Sequence, residues 1–252
     1  VETTPWTQEP LLFQDAGHAW HPCRPDIVPL LEGAEHRDCR PIYYGSNHTF
    51  LVTLRSPGAG DSLAVYKPAR GEYPLHDFPH GTLYRREIAA WVLDRLLGWS
   101  IVPPTVQTKG VYGVGSLQLF IEAMPEAEIE IERLRRMALF DVIANNADRK
   151  VDHCLPAPDG KLWGIDHGLT FHAQGKLRTV LWHFAGTRLT REERSDIERL
   201  LRTLSESGRD EVRQLRQLIS GAEWRALCMR LERLLDTGAF PDPRYKPVPY
   251  RW

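Results

Sequence analysis

No apolar run in this chain approaches the roughly 20 residues that a membrane-spanning helix needs, and its first residues do not pass from a basic stretch into an apolar one as a secretion signal does. Stable membrane insertion is therefore not expected, and the cytoplasm is the expected location. Cysteine is scarce as well. Cys23, Cys39, Cys154 and Cys228 are scattered and form no CxxC pair, so they read as reduced thiols rather than as a disulfide framework. His18, His21 and His36 lie near the first two, but the spacing fits no standard zinc pattern, and these residues read as loop positions packing an N-terminal extension. Neither sign of charge dominates, with 32 Lys and Arg against 33 Asp and Glu. Nucleic acid, which is bound through an excess of basic groups, is not expected as a partner. Internal repeats and low-complexity tracts are absent.

What is present is a chain of 252 residues, 42% hydrophobic and 26% charged, enough for one large domain or two lobes sharing a cleft. Residues 1–40 are rich in Pro, His and Trp and weakly periodic, which suggests a wrapping extension with one short helix over Asp26 to Leu31. From Pro41 the pattern changes to strand, tight turn and strand: Ile42-Tyr43-Tyr44, then Gly45-Ser46-Asn47-His48, then Thr49 to Leu54. Ser62 to Lys67 makes a third strand, and the three suggest an antiparallel sheet. Thr82 to Leu97 has a helical period that stops at Gly98. Val102 to Val106 and Gly115 to Glu122 read as further strands, so a sheet and one helix make up a first lobe over 41–124. After Pro125 the character is helical. Leu134, Met137, Ala138, Phe140 and Ile143 give an apolar face to a helix that delivers Asn145 and Asp148 just past its end. Thr190-Arg191-Glu192-Glu193 is a capping box, with further helices near Asp210 to Ile219 and Ala222 to Leu235. This second lobe spans 125–240, and the Pro-rich residues 241–252 form an extended tail.

Asp148 and Asp166 carry the most information. Asp148 lies in Asn145-Asn146-Ala147-Asp148-Arg149-Lys150-Val151-Asp152-His153, and Asp166 in Gly164-Ile165-Asp166-His167-Gly168-Leu169. Between them His153-Cys154-Leu155, a turn at Asp159-Gly160 and Lys161 to Ile165 spell a β-hairpin. A hairpin folds its two ends together, so the flanking carboxylates can face one small volume. Phosphoryl transfer needs that arrangement: one carboxylate orients a hydroxyl and the other holds the Mg²⁺ that neutralises phosphate charge. Lys150 can neutralise the transferring group while Asp148 accepts the hydroxyl proton, and Gly168 permits a sharp backbone change after a metal-binding carboxylate. Upstream, the small residues Gly45, Ser46 and Asn47 would let backbone N–H groups approach phosphate oxygens. Lys67, at the end of an apolar strand, can hold an anion if Glu87 on the next helix fixes it.

The order of these parts, with Val65-Tyr66-Lys67-Pro68, Ile101-Val102-Pro103-Pro104-Thr105, Gly115 to Glu122 and Ile165 to Phe171, resembles the phosphatidylinositol 3-/4-kinase-like group of atypical kinases. Within it the chain is most similar to type II phosphatidylinositol 4-kinases and to a bacterial branch of the group, over about Gly45 to Phe171. The resemblance implies an α+β, bilobal protein-kinase-like fold, with an antiparallel sheet in the N-lobe, a mainly helical C-lobe and ATP in the cleft between. It makes Lys67 the phosphate-binding lysine and Glu87 its ion-pair partner. Leu119 to Ile121 becomes the hinge whose backbone meets adenine, Asp148 the catalytic aspartate and Asp166 the metal ligand. ATP with Mg²⁺ or Mn²⁺, and a hydroxyl acceptor on a protein or polyol, are the implied partners. Two departures stand out. His153 occupies the place of a metal-binding Asn, which leaves the second metal absent, replaced by Mn²⁺, or held by Asp152. The cysteine-rich membrane-attachment insert of the type II lipid kinases is missing. A nucleotide-binding pseudokinase and a lipid kinase are the alternatives.

Overall fold

The computed structural model describes residues 20–43, 46–124, 128–206, 208–243 and 245–249. Helix α1 (Ile27–Gly33) precedes the strands β1 (Glu35–Ile42), β2 (Thr49–Ser56) and β3 (Gly60–Pro68). Helix α2 (Leu83–Leu97) follows, then β4 (Thr105–Gly110) and β5 (Gly113–Leu119). The five strands form one antiparallel sheet in the order β1-β2-β3-β5-β4. Alternation along β3 buries Ser62, Ala64, Tyr66 and Pro68 on one face and leaves Leu63, Val65 and Lys67 on the other. The Tyr66 face forms a core with Trp20, Ile27 and Leu31, so α1 covers the sheet on the side away from Lys67.

Beyond β5, α3 (Arg135–Ala144) ends at Asn145, whose left-handed φ of 56° closes the helix. The expected hairpin follows as β6 (Cys154–Pro156) and β7 (Leu162–Gly164), antiparallel, with Cys154 opposite Gly164. Helices α4 (Arg191–Ser205), α5 (Asp210–Leu218) and α6 (Gly221–Thr237) complete the second lobe. Thr190 and Glu193 make the expected capping box of α4, and Ser220 and Glu223 make a second one at α6. The architecture is the expected α+β one, an antiparallel sheet followed by a mainly helical part.

The hydrophobic cores divide the chain differently from the linear boundaries at 40, 124 and 240. Strand β1 begins at Glu35, inside the segment read as an extension. It is an edge strand with little burial alternation and Pro41 near its end, which concealed it in the sequence. Helix α2, assigned to the first lobe, shares its core with α3, α4, α5 and α6. It is buried nearly all round, from Leu83 through Leu97, because it lies between the sheet and the helical lobe. Strand β4 starts only at Thr105, since Pro103 and Pro104 cannot donate to a ladder.

Candidate active site

Lys67 sits at the end of β3, opposite Ser116 of β5, and its side chain reaches across the cleft. Its Nζ donates to Glu87 Oε1 at 2.5 Å and to Asp166 Oδ1 at 2.9 Å. Glu87, from α2, uses its second oxygen to accept the His167 N–H at 2.9 Å. Sheet, helix α2 and the loop after the hairpin thus meet at one cation. Burial disfavours charge on Lys67, yet Asp166 and Glu87 hold its ammonium above the usual lysine value. For Asp166 burial opposes ionisation, but Lys67 and then His153 hold its carboxyl far below the usual range. The Asp166 backbone has a φ of 59°, a left-handed conformation that costs a non-glycine residue energy. Such outliers cluster at working sites.

Asp148 is presented by the turn after α3. Its N–H donates to Asn146 Oδ1 at 2.9 Å, and Asn146 Nδ2 donates to Asp141 Oδ1 at 2.9 Å. Lys150 Nζ pairs with Asp148 Oδ2 at 3.1 Å. Burial pushes the Asp148 carboxyl up; Lys150 opposes this, and the charges of Asp166 and Asp152 add to it. The hairpin therefore does bring the two carboxylates into one electrostatic neighbourhood.

His153 is buried, and its Nδ1 receives the Lys150 N–H at 3.5 Å while Nε2 faces Asp166 Oδ2 at 3.4 Å. That assigns the ring proton to Nε2, so His153 serves to orient Asp166. The three residues expected at the metal, Asp166, Asp152 and His153, thus lie together around His153 Nε2. Asp152 is half exposed, its Oδ1 4.0 Å from the same nitrogen. Among the described residues no three His, Cys, Asp or Glu side chains form a metal cage. A nucleotide-bound Mg²⁺ or Mn²⁺ does not require one, because it takes one or two protein carboxylates and otherwise phosphate oxygens and water. The hard oxygens of Asp166 and the nearby Asp152 fit that donor set.

Gly45 falls outside the described residues. Asn47 Oδ1 accepts the Tyr73 N–H at 2.7 Å, and Ser46 and Asn47 line a cavity of about 640 Å³ with Phe50, Pro68, Arg70 and Tyr112. The cavity takes lining from both faces of the sheet, Phe50 and Pro68 on one and Thr49 on the other, at the end of β3 that carries Lys67. Leu119 is committed to the sheet, its N–H donating to Pro104 O at 2.9 Å, and the Phe120 N–H goes to Leu63 O at 3.0 Å. The N–H groups of Leu119 and Phe120 are thus both engaged within the sheet.

The sequence reading missed the residue that ties these parts together. Arg149, fully buried, forks onto Asp141 with contacts of 2.9 to 3.1 Å. The same guanidinium donates to Ile165 O at 2.9 Å, His153 O at 3.3 Å and His167 Nε2 at 2.8 Å. It joins α3, the Asp148 turn, the His153 turn and the Asp166 loop. Beside it, the segment after Asp166 runs along the Asp148 turn: the Arg149 N–H donates to Arg178 O and the Val180 N–H to Arg149 O. The tail closes on that segment, where Pro247 O accepts from the Thr179 N–H at 3.2 Å and from Trp182 Nε1 at 2.9 Å.

No protein-family model matches the chain. It is 36% identical to Protein Rv2133c of Mycobacterium tuberculosis over 269 aligned positions, covering 90% of this chain and 95% of that protein. It is 35% identical over 177 positions to phosphatidylinositol 4-kinase gamma 4 of Oryza sativa, covering 49% of this chain, and spans only 31% of that plant protein. Among solved structures, hydra Fam20 with sugar superposes with a TM-score of 0.53 at 17% identity, covering 84% of this chain and 86% of that one. The Golgi casein kinase with Mn and ADP bound also gives 0.53, at 14% identity, covering 87% and 80%. These two likenesses concern the fold.

Proposed function

This chain belongs to the family of the mycobacterial Protein Rv2133c and has an atypical-kinase fold, and from that premise we propose that it is an ATP- and divalent-metal-dependent phosphotransferase acting on a hydroxyl of a protein or polyol. The observation that carries the reading is the convergence of Lys67, Glu87 and Asp166 at one point, with Asp148 brought alongside by the hairpin. In this reading Lys67 contacts the phosphates and is kept charged and aimed by Glu87. Asp148 accepts the proton of the attacking hydroxyl, and its burial, which raises its pKa, makes it a stronger proton acceptor. Lys150 neutralises charge on the group in transfer. Asp166, oriented by His153 and by the Arg149 contacts around it, would hold the metal, which supplies electrostatic stabilisation of the phosphates. Catalysis then comes from positioning and charge, with no covalent enzyme intermediate.

His153 favours one further reading, a nucleotide-binding module without turnover, because it occupies the place of an oxygen donor. The two separate on product. Incubation of purified protein with labelled ATP, Mg²⁺ or Mn²⁺ and a lysate should place label on an acceptor. Asp148→Asn should abolish transfer while nucleotide binding survives, and Asp166→Ala should weaken the metal-dependent part of that binding. Nucleotide-induced stabilisation without any ADP would favour the binding module; equal turnover by wild type and both variants would remove the kinase assignment.

A further inference from the structure

Glu87 is placed by its neighbour. Arg86, one residue earlier on α2, reaches into the helical lobe, with a side chain 3% exposed. Its Nη2 donates to Glu223 Oε1 at 2.6 Å and its Nη1 to Thr170 O at 2.9 Å, and the guanidinium carbon lies 4.9 Å from the centre of the Phe78 ring. Both partners are themselves fixed. Glu223 is the third residue of α6 and its other oxygen accepts the Ser220 N–H at 2.8 Å. Thr170 Oγ1 donates to His167 O at 2.7 Å, one residue beyond Asp166.

Two adjacent residues of α2 therefore grip the Asp166 loop at two points, Glu87 at the His167 N–H and Arg86 at the Thr170 carbonyl, while Glu223 holds Arg86 from α6. The core of α2 belongs to the same lobe. We infer that Arg86, braced by Glu223, is a positioning residue that locks α2 to the helical lobe, so that Glu87 is presented to Lys67 permanently and lobe motion slides the sheet over a fixed carboxylate. This inference rests on the kinase reading for its catalytic meaning; the physical lock does not.

The test reads Lys67 itself. In nucleotide-free protein the Lys67 amine is engaged by Glu87 and Asp166, so its acylation by an amine-directed reagent, followed by mass spectrometry, reports whether Glu87 is in place. Arg86→Met, which keeps the stem and removes the fork, should raise the Lys67 rate about tenfold, the worth of one hydrogen bond between charged groups. Glu87→Gln supplies the reference for a broken pair, and Arg86→Lys should recover part of the protection. Glu223→Gln, which retains the α6 cap, should give a smaller rise and carries the test if Arg86→Met does not fold. Leu231→Ala, a core change in α6, controls for destabilisation alone and should leave the Lys67 rate within twofold of wild type. If the Arg86 and Glu223 variants melt earlier but behave like Leu231→Ala in Lys67 reactivity, the lock is refuted. Because no turnover is measured, that outcome is separate from failure of the kinase reading, which would show as absent phosphoryl transfer in wild type.

Discussion

Replacing Arg149 with Met should expose how the site is held. The guanidinium and the Asp141 carboxylate are both fully buried, and removing the cation leaves the carboxylate with Asn146 Nδ2 as its remaining side-chain donor given by the geometry. It also withdraws donors from Ile165 O and His153 O. Breaking a buried pair from one side costs about 3–5 kcal/mol, a large share of the roughly 5–15 kcal/mol by which a domain is stable. Replacing both partners by apolar residues of similar size costs far less, because no charge is stranded. The double variant Asp141→Leu with Arg149→Met should therefore be more stable than Arg149→Met alone, by about 2 kcal/mol or more in urea unfolding. Phosphoryl transfer should stay low in both, since neither restores the contacts on either side of Asp166. The reasoning fails if Arg149→Met costs less than about 1 kcal/mol, if the two substitutions simply add, or if the double variant regains full transfer.

Three other outcomes follow from single positions. Asp94 Oδ2 accepts the Ile101 and Val102 N–H groups at 3.0 Å, and burial pushes its carboxyl up to about 7. The folded value lies above the unfolded one, so this group's stabilisation is full below about pH 4 and is lost as pH rises through about 7, for a decline on the order of 4 kcal/mol; Asp94→Asn should flatten that part of the stability profile, and an unchanged profile would contradict the assignment. A Cβ at Gly115 would run into the Lys67 carbonyl and come within 2.7 Å of Pro68 Cα. Gly115→Ala should cost about 1–3 kcal/mol and weaken nucleotide binding by moving the strand that carries Lys67, with calorimetric titration as the check. Trp182→Phe removes one of two donors to Pro247 O, and amide exchange at Thr179 and along the tail should speed up by about fivefold, the worth of one hydrogen bond.

The strand pattern, the hairpin between Asp148 and Asp166 and the α4 cap were legible in the sequence because each rests on local rules: alternation, turn residues, a capping box. Lys67, Glu87 and Asp166 were legible because their order along the chain matches a known arrangement. The supporting residues were not. Arg149 and Arg86 look like two more solvated cations in a chain with 32 of them, and only the packing of α3, α6 and the loops around them shows that they are buried and what they hold. The Asp148-Arg149 step, one residue past Asn145-Asn146, was the one available hint. Helix α2 had a helical period but no means of telling which lobe would cover it, since a helix buried on every side presents no single apolar stripe. His153 was visible as a departure, while its role turns on which ring nitrogen the Lys150 N–H meets.

Labelling with an acyl-phosphate derivative of ATP tests the central claim most directly, because the reagent carries its electrophile at the triphosphate. If Lys67 reaches the phosphates beside Asp148 and Asp166, it should be acylated ahead of the surface lysines, and excess ATP with Mg²⁺ or Mn²⁺ should protect it. Labelling spread over exposed lysines such as Lys246, with no nucleotide protection at Lys67, would contradict the account.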